Sequence, residues 1–221
     1  MAPPRTYPGE LADLRPDRAL RLREGLAEVR RACRRAAAPP PRTLLVVCLP
    51  RQRLHRFVRT DFPGPGPGGR DYCWAGACLV SSSRFGVGQE EGSFRTPLGL
   101  HRVASVHGLG LPPGAVLKGR RLTGYVWQGC PQAPIAHRVL WLEGLEPGRN
   151  RGGACDSRRR LIYLHGLGEE PTLGRPHSRG CIHLAGKDLI PLADRAGPDT
   201  LVWITRAVWI LGPQERRGAL F

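Results

Sequence analysis

At 221 residues, the chain is long enough to bury a substantial core as one large domain or two small ones, so it needs neither disulfides nor a metal to fold. Its formal net charge of +16 would suit a nucleic-acid-binding protein, but Lys118 and Lys187 are its only lysines, and abundant Pro and Gly accompany the arginines. This bias is typical of a GC-rich genome, and with 6% aromatic residues we expect a solvated basic surface with no nucleic-acid partner.

The first 42 residues predict a basic helical extension. Over residues 20–35, apolar side chains recur at steps of four, three and four, which is one face of a helix: Leu22, Leu26, Val29 and Cys33. The prolines at 39–41 then end the helix. We expect this helix to dock on the rest of the chain, and the alternative is a free basic helix that touches a membrane surface. The region holds no apolar stretch of the kind that an ordinary signal peptide needs.

From residue 43 to residue 221, short apolar runs broken by Gly and Pro predict one β-dominated domain. Residues 43–49 and 53–59 are expected to form a hairpin, and the Pro- and Gly-rich residues 63–69 an exposed loop. Further strands are expected within residues 77–83, 100–108, 122–129, 137–145, 160–166 and 200–205. Residues 186–197 are the one later segment with helical periodicity. The longest apolar run, residues 44–49, is far shorter than the ~20 residues that cross a bilayer, so we expect no transmembrane segment.

Seven cysteines are an odd number, so at least one thiol is free or pairs between chains. Cys73 and Cys78 are close enough in sequence to bridge, although nothing requires that they do. Cys181 stands out because it lies in the stretch HSRGCIHL, shortly after IYLHGLG. Its alternatives are a buried structural thiol, a disulfide partner, a zinc ligand or a nucleophile. The spacing is poor for zinc, because the available histidines do not form two separated ligand pairs with it: His165, His177 and His183.

Of these alternatives, the nucleophile hypothesis is the one that gives a role to each neighbouring residue. A free thiol has a pKa of ~8.5 and is mostly protonated at neutral pH, so it needs a base. His165, brought close by strand pairing, can take the proton. Gly180 allows a tight turn in which the N–H groups of Gly180 and Cys181 point at a developing oxyanion. Ser178 can hold the base or the loop by a hydrogen bond.

These residues resemble the active-site motif of the L,D-transpeptidase catalytic domain (YkuD-type) family: His-Gly, a loop, then Ser/Thr-His-Gly-Cys. The resemblance extends to residues 51–57, which are similar to the opening hairpin of the family. Residues 78–103 are similar to the strand that precedes its Thr-Pro-x-Gly turn, here Thr96 to Gly99. Residues 138–153 and 158–166 resemble the strands that lead to the first histidine. The similarity covers about residues 44–204.

The resemblance implies an α+β fold that is mostly β, a mixed β-sandwich with few helices and with the cysteine loop in a groove between sheets. It implies that Cys181 is the nucleophile and His165 the base, while Ser178 and Gly180 shape the catalytic loop. Two positions depart from the motif, because Arg179 replaces a second histidine and His183 replaces Arg or Asn. The substrate-binding residues it implies are Gly166, Arg179 and His183.

The reaction that the resemblance implies is acyl transfer on peptidoglycan stem peptides. Cys181 would attack the carbonyl of the diamino acid at position three, release the terminal D-alanine and hold a thioester. An amine of a second stem peptide would then form a 3→3 cross-link. The alternatives are an L,D-carboxypeptidase that uses water as the acceptor, and a non-catalytic wall-binding module. The resemblance implies no cofactor or metal and a periplasmic or cell-envelope location, with the cytoplasm as the alternative.

Overall fold

A computed structural model describes residues 16–63 and 70–208, and within these ranges it has two helices and ten strands. The first half contains α1 Pro16–Arg35, β1 Thr43–Cys48, β2 Arg53–Pro63, β3 Arg70–Ser81, β4 Gly99–His107, β5 Ala115–Lys118 and β6 Arg121–Tyr125. The second half contains β7 Ala136–Gly144, β8 Tyr163–Gly166, β9 Ile182–Leu184, α2 Gly186–Ala193 and β10 Thr200–Thr205.

The predicted elements are largely present, with differences at their ends. The hairpin of β1 and β2 is confirmed, and the expected helices correspond to α1 and α2. Helix α1 starts at Pro16, earlier than predicted, because proline is tolerated in the first helical turn, where its missing N–H is not needed. The predicted loop at 63–69 lies outside the described residues, except for Pro63, which ends β2. Strands β5 and β9 were not predicted.

The strands form one sheet that closes on itself. Its order is β4-β10-β1-β2-β3-β9-β8-β7, and a further pairing of β4 with β7 joins the two ends into a ring. The β1–β10 and β8–β9 pairs are parallel and the other pairs are antiparallel, so the sheet is mixed, as expected. The two layers of the expected sandwich therefore belong to one continuous sheet. The β5–β6 hairpin extends from β7 through the pairing of Val116 with Ala136.

The main core fills the inside of this ring. Alternate residues of all eight ring strands point into it, since side chains in a strand alternate between its two faces. Helix α2 adds Leu189 and Ala193 to the same core. The strand residues of the core are Leu45, Val47, Leu54, Val80, Val103, Leu140, Leu142, Leu164, Ile182, Leu184, Val202 and Ile204.

Helix α1 covers part of the outer surface of the ring. Val29, Ala32 and Cys33 are buried against outward-facing residues of β1, β2, β4 and β10, which confirms the docked helix. Strand β1 is thus buried on both faces, which explains its uninterrupted apolar sequence. The domain boundary between residues 42 and 43 stays a prediction. Across residues 16–63 and 70–208, no helix is long and apolar enough to cross a membrane.

A different part of the outer surface surrounds the end of β8. There Leu117 of β5, Val139 of β7 and Tyr163 of β8 form a small cluster, and Cys181 packs against it. The side chains of Cys181 and His165 therefore belong to the outside of the ring, while Leu164 and Ile182 point into its core. The outer face of the ring forms one wall of a cleft, and the surrounding loops form the rest of it.

Candidate active site

The parallel pairing of β8 with β9 brings Cys181 and His165 to the same cleft. Leu164 pairs with Ile182 and His165 with His183, so Cys181 and His165 are diagonal neighbours on the outer face. The His165 and His183 ring centroids are 4.7 Å apart. Both catalytic candidates line a cleft of about 510 Å³. Cys181 follows His165 by sixteen positions in the chain, and it is the pairing of two short strands that brings the two residues together.

His165 is buried and its ring is held by one hydrogen bond. Nδ1 lies 2.9 Å from the carbonyl oxygen of Gly166. A carbonyl can only accept, so Nδ1 carries the proton and Nε2 keeps its lone pair. Burial lowers the pKa of His165 to about 4, although the Gly166 hydrogen bond opposes that shift. At neutral pH the ring is an uncharged base.

Cys181 lies immediately before β9 and is half-buried. Its Sγ donates to the carbonyl oxygen of Leu161 at 3.4 Å. Removal from water raises the pKa of the Cys181 thiol to about 11, while the Tyr163 backbone and the charge of Arg160 lower it to a smaller extent. The resting pair is therefore a neutral thiol beside a neutral imidazole, and a thiolate forms only when a base removes the proton.

The loop before Cys181 is held in one conformation by hydrogen bonds. Ser178 Oγ donates to the Cys181 carbonyl at 2.5 Å and accepts from the Gly180 N–H at 3.3 Å. Gly180 has φ +118°, which other residues rarely adopt. These contacts place both residues inside the folded loop, and their roles in catalysis stay predictions. The Gly180 N–H, expected as an oxyanion donor, is instead used inside the loop, which leaves the Cys181 N–H as the candidate donor.

Thr96, in the loop between β3 and β4, anchors the loop that carries Cys181. The sequence analysis did not predict this role. Its buried hydroxyl donates to the Gly180 carbonyl at 3.1 Å and accepts from the Ser83 N–H at 3.0 Å. The only sequence signal was the Thr-Pro-x-Gly turn, in which Thr96 appeared as a turn residue. Its partner lies 84 residues away, so no local pattern could have shown the contact.

Arg160 is a second residue that the sequence analysis did not identify. Its guanidinium donates to three backbone carbonyls of the loop between β3 and β4: Gly88 at 3.2 Å, Gln89 at 2.8 Å and Arg95 at 2.7 Å. It thus ties that loop to the segment that precedes β8. Its positive charge also acts on Cys181, so Arg160 favours the thiolate slightly.

The three predicted substrate-binding residues have different positions. Arg179 is exposed and His183 is nearly buried, and both line the cleft. Burial lowers the pKa of His183 to about 3, and its Nδ1 has no hydrogen-bond partner within the described ranges. Gly166 does not line the cleft. It lies behind His165, where a Cβ would come within 2.7 Å of His137 Cδ2 and 2.8 Å of the Ala136 carbonyl.

Gly166 is therefore a packing residue that also accepts the His165 hydrogen bond, and its predicted contact with substrate stays a prediction. All seven cysteines are free, so Cys73 and Cys78 form no disulfide. In the described parts of the chain, no group of three or more His, Cys, Asp or Glu side chains could hold a metal ion. The cleft is lined by the Cys181 thiol, by three imidazoles and by three charged side chains: His165, His177, His183, Arg84, Glu169 and Arg179.

The outer face of the ring thus carries a cleft that is lined by both a thiol and an imidazole. The model of the L,D-transpeptidase catalytic domain (YkuD) matches residues 68–204. This match covers more than half of the chain, and the protein belongs to that family. No protein with a curated description matches the sequence significantly.

Solved structures with similar chains have low sequence identity to this one. Bd1075 of Bdellovibrio bacteriovorus is 15% identical over 75% of this chain and 48% of its own, with a TM-score of 0.46. L,D-transpeptidase 3 of Mycobacterium tuberculosis is 17% identical over 75% and 61%, with a TM-score of 0.41. The helical cell shape determining protein Pgp2 of Campylobacter jejuni is 14% identical over 78% and 50%, with a TM-score of 0.42. The chain spans about half to three fifths of these proteins.

Proposed function

We propose that the protein is a cysteine-dependent acyltransferase that acts on peptidoglycan stem peptides and forms 3→3 cross-links. The observation that carries this proposal is the placement of His165 on β8 and of Cys181 immediately before the adjacent parallel strand β9, with both residues lining one cleft. Membership of the L,D-transpeptidase catalytic domain family supports the substrate class. The basic surface is compatible with an anionic polymer, because opposite charges raise its local concentration.

In the first half-reaction, Sγ of Cys181 attacks the carbonyl carbon of the diamino acid at position three. His165 Nε2 takes the thiol proton as the S–C bond forms, and the imidazolium that results returns the proton to the departing amine. The C–N bond to the terminal D-alanine breaks, D-alanine leaves and a thioester remains. The N–H of Cys181 is the proposed donor to the oxyanion.

In the second half-reaction, the amine of a second stem peptide attacks the thioester carbon. His165 takes a proton from this amine, the C–S bond breaks, and the thiol is restored as the cross-link forms. Since Ser178 and Thr96 fix the loop that carries Cys181, they hold the sulfur and its amide in place through both steps. Water in place of the amine would give a tripeptide and an L,D-carboxypeptidase.

Incubation with purified disaccharide-tetrapeptide, followed by mass spectrometry, tests the proposal. We expect release of D-alanine and a cross-linked dimer with the wild-type protein and neither product with Cys181→Ser. Tripeptide without dimer would assign the carboxypeptidase reaction instead. No conversion by a folded wild-type protein would favour a non-catalytic wall-binding module. Cell fractionation tests the location that we propose, the periplasm or cell envelope, and recovery in the cytoplasm alone would contradict it.

A further inference from the structure

Two arginines stand on the rim of the cleft next to the reactive pair. Arg84 and Arg179 both line the cleft, and both side chains are exposed. The carboxylate of Glu169 is the one acidic group among the lining residues. Across residues 16–63 and 70–208, neither guanidinium has a carboxylate or carbonyl partner, and each lies over an aromatic ring instead. Their N–H groups are thus available to a ligand.

Two exposed phenylalanines support these guanidinium groups. Arg84 lies over the ring of Phe85 at 5.0 Å from its centroid, and Arg179 lies over the ring of Phe94 at 4.5 Å. The two rings are 6.1 Å apart, and 43% of Phe85 and 48% of Phe94 is exposed. A cation over a ring face leaves the edge of the guanidinium free to donate. The aromatic pair therefore orders both arginines without neutralising them.

A buried polar network fixes the backbone beneath this rim. Ser83 Oγ donates to the Phe94 carbonyl at 2.6 Å and accepts from the Phe85 N–H at 3.0 Å. The Arg84 N–H donates to the Ser178 carbonyl at 3.1 Å, in the loop that carries Arg179 and Cys181. Ser83 itself is almost fully buried. The arginines and the nucleophile loop are thus parts of one ordered unit.

We infer that Arg84 and Arg179 form an anion-binding rim that concentrates carboxylate-bearing acyl donors at Cys181. The inference deepens the proposed function and rests on it for the identity of the donor. Guanidinium groups bind carboxylates through paired, charge-assisted hydrogen bonds, which suits an acidic peptide better than a neutral one. Arg179 stands where the family motif most often has a histidine, so the motif alone does not supply this guanidinium group.

A pair of small alkylating reagents tests the rim without the peptide substrate. Iodoacetate and iodoacetamide form the same S–C bond with a thiol and release iodide, but only iodoacetate carries a carboxylate. The rate of each is measured at Cys181 by peptide mapping of the full chain, and exposed Cys73 serves as the internal reference. We expect Arg84→Gln/Arg179→Gln to lower the iodoacetate-to-iodoacetamide rate ratio at Cys181 about tenfold, the lower end of electrostatic steering effects. The ratio at Cys73 should not change.

A matched control removes two charges elsewhere. Arg31→Gln/Arg34→Gln alters exposed residues of α1, which covers a different part of the ring, and should keep the wild-type ratio. An unchanged ratio in the rim variant, or an equal fall in the control, would overturn the inference. With disaccharide-tetrapeptide, kcat/KM should fall about tenfold in the rim variant and lose part of its salt dependence. If the wild type turns over no peptide, the proposed function fails, while the reagent ratio still decides the rim.

Discussion

His165 and His183 lie opposite each other in the parallel β8–β9 pair, with ring centroids 4.7 Å apart. Burial lowers the pKa of His165 to about 4 and that of His183 to about 3. The proximity of the two rings also opposes protonation of His183, because a second positive charge would be repelled. The cleft therefore holds neutral imidazole next to a neutral thiol, and the following predictions depend on this state.

Replacement of the proposed base should slow acylation strongly. We expect His165→Ala to reduce the acylation rate at pH 8 by about 10²–10⁴-fold, the usual size of general-base catalysis. The defect should shrink as pH rises, because solvent then deprotonates the Cys181 thiol, whose pKa is about 11. His177→Ala, a change at an exposed histidine of the same cleft, is the control and should have little effect. A defect that does not vary with pH would indicate a structural role for His165.

The pH profile of acylation of the wild-type protein should be broad. The base acts only when His165 is neutral, so the acylation rate should rise up to its pKa of about 4. The thiol stays protonated until its pKa of about 11, so the rate should be flat from roughly pH 5 to pH 10. Stopped-flow measurement of carbapenem acylation gives this profile. A midpoint between pH 6 and pH 9 would instead indicate a thiolate–imidazolium resting pair.

Gly180→Ala should damage both stability and acylation. At φ +118° an alanine is strained even though the nearest atom to a new Cβ, Ile162 Cδ1, is 3.4 Å away. Such strain costs about 1–3 kcal/mol, and the loop that holds Cys181 must shift to relieve it. Thermal unfolding and acylation rate should both fall relative to Gly197→Ala, where the backbone is not left-handed and no atom is within 4 Å. Equal behaviour of the two variants would contradict the strain argument.

Stability should decrease with acid because buried histidines cannot be protonated in the fold. His101 is fully buried, and desolvation lowers its pKa to about 4 despite a hydrogen bond from its ring to the Gly99 carbonyl. The unfolded chain protonates this residue near its ordinary pKa of about 6.5. Between those values the unfolded state binds more protons, so the unfolding free energy falls as pH drops, by about 1.4 kcal/mol per pH unit for each such residue.

Urea unfolding of the wild type and His101→Gln between pH 7 and pH 4.5 measures this effect. The glutamine side chain keeps hydrogen-bonding capacity at this position but cannot be protonated. The pH slope of the unfolding free energy should therefore become smaller in His101→Gln. An identical slope in both proteins would show that His101 does not contribute to acid sensitivity.

The sequence predicted those parts of the fold that local patterns determine. The alternating or uninterrupted apolar runs of β1, β4, β7 and β10 were long enough to be recognised, and the glycine before Cys181 indicated its tight turn. Strands β5 and β9, of four and three residues, were too short to show a period. The β4–β7 pairing that closes the ring connects segments whose interaction no local pattern encodes.

The residues of the site divide in the same way, into those that a local motif predicted and those that depend on contacts between distant segments. Cys181, His165 and Ser178 were predicted from a short motif, and the cleft includes all three. The anchor at Thr96 and the tie through Arg160 depend on contacts between distant loops, so the sequence did not indicate them. The tight packing of Gly166 against His137 likewise depends on a contact that the sequence does not show.

The most direct test of the central claim is to identify the residue that becomes acylated. The full chain is incubated with a carbapenem, and the adduct is located by intact-mass and peptide-level mass spectrometry, with Cys181→Ser as the control. The account predicts a single covalent adduct, on Cys181, and none on the folded Cys181→Ser protein. An adduct on Cys73 or Cys130, which are both exposed, or no adduct on the wild type, would contradict the assignment of Cys181 as the nucleophile.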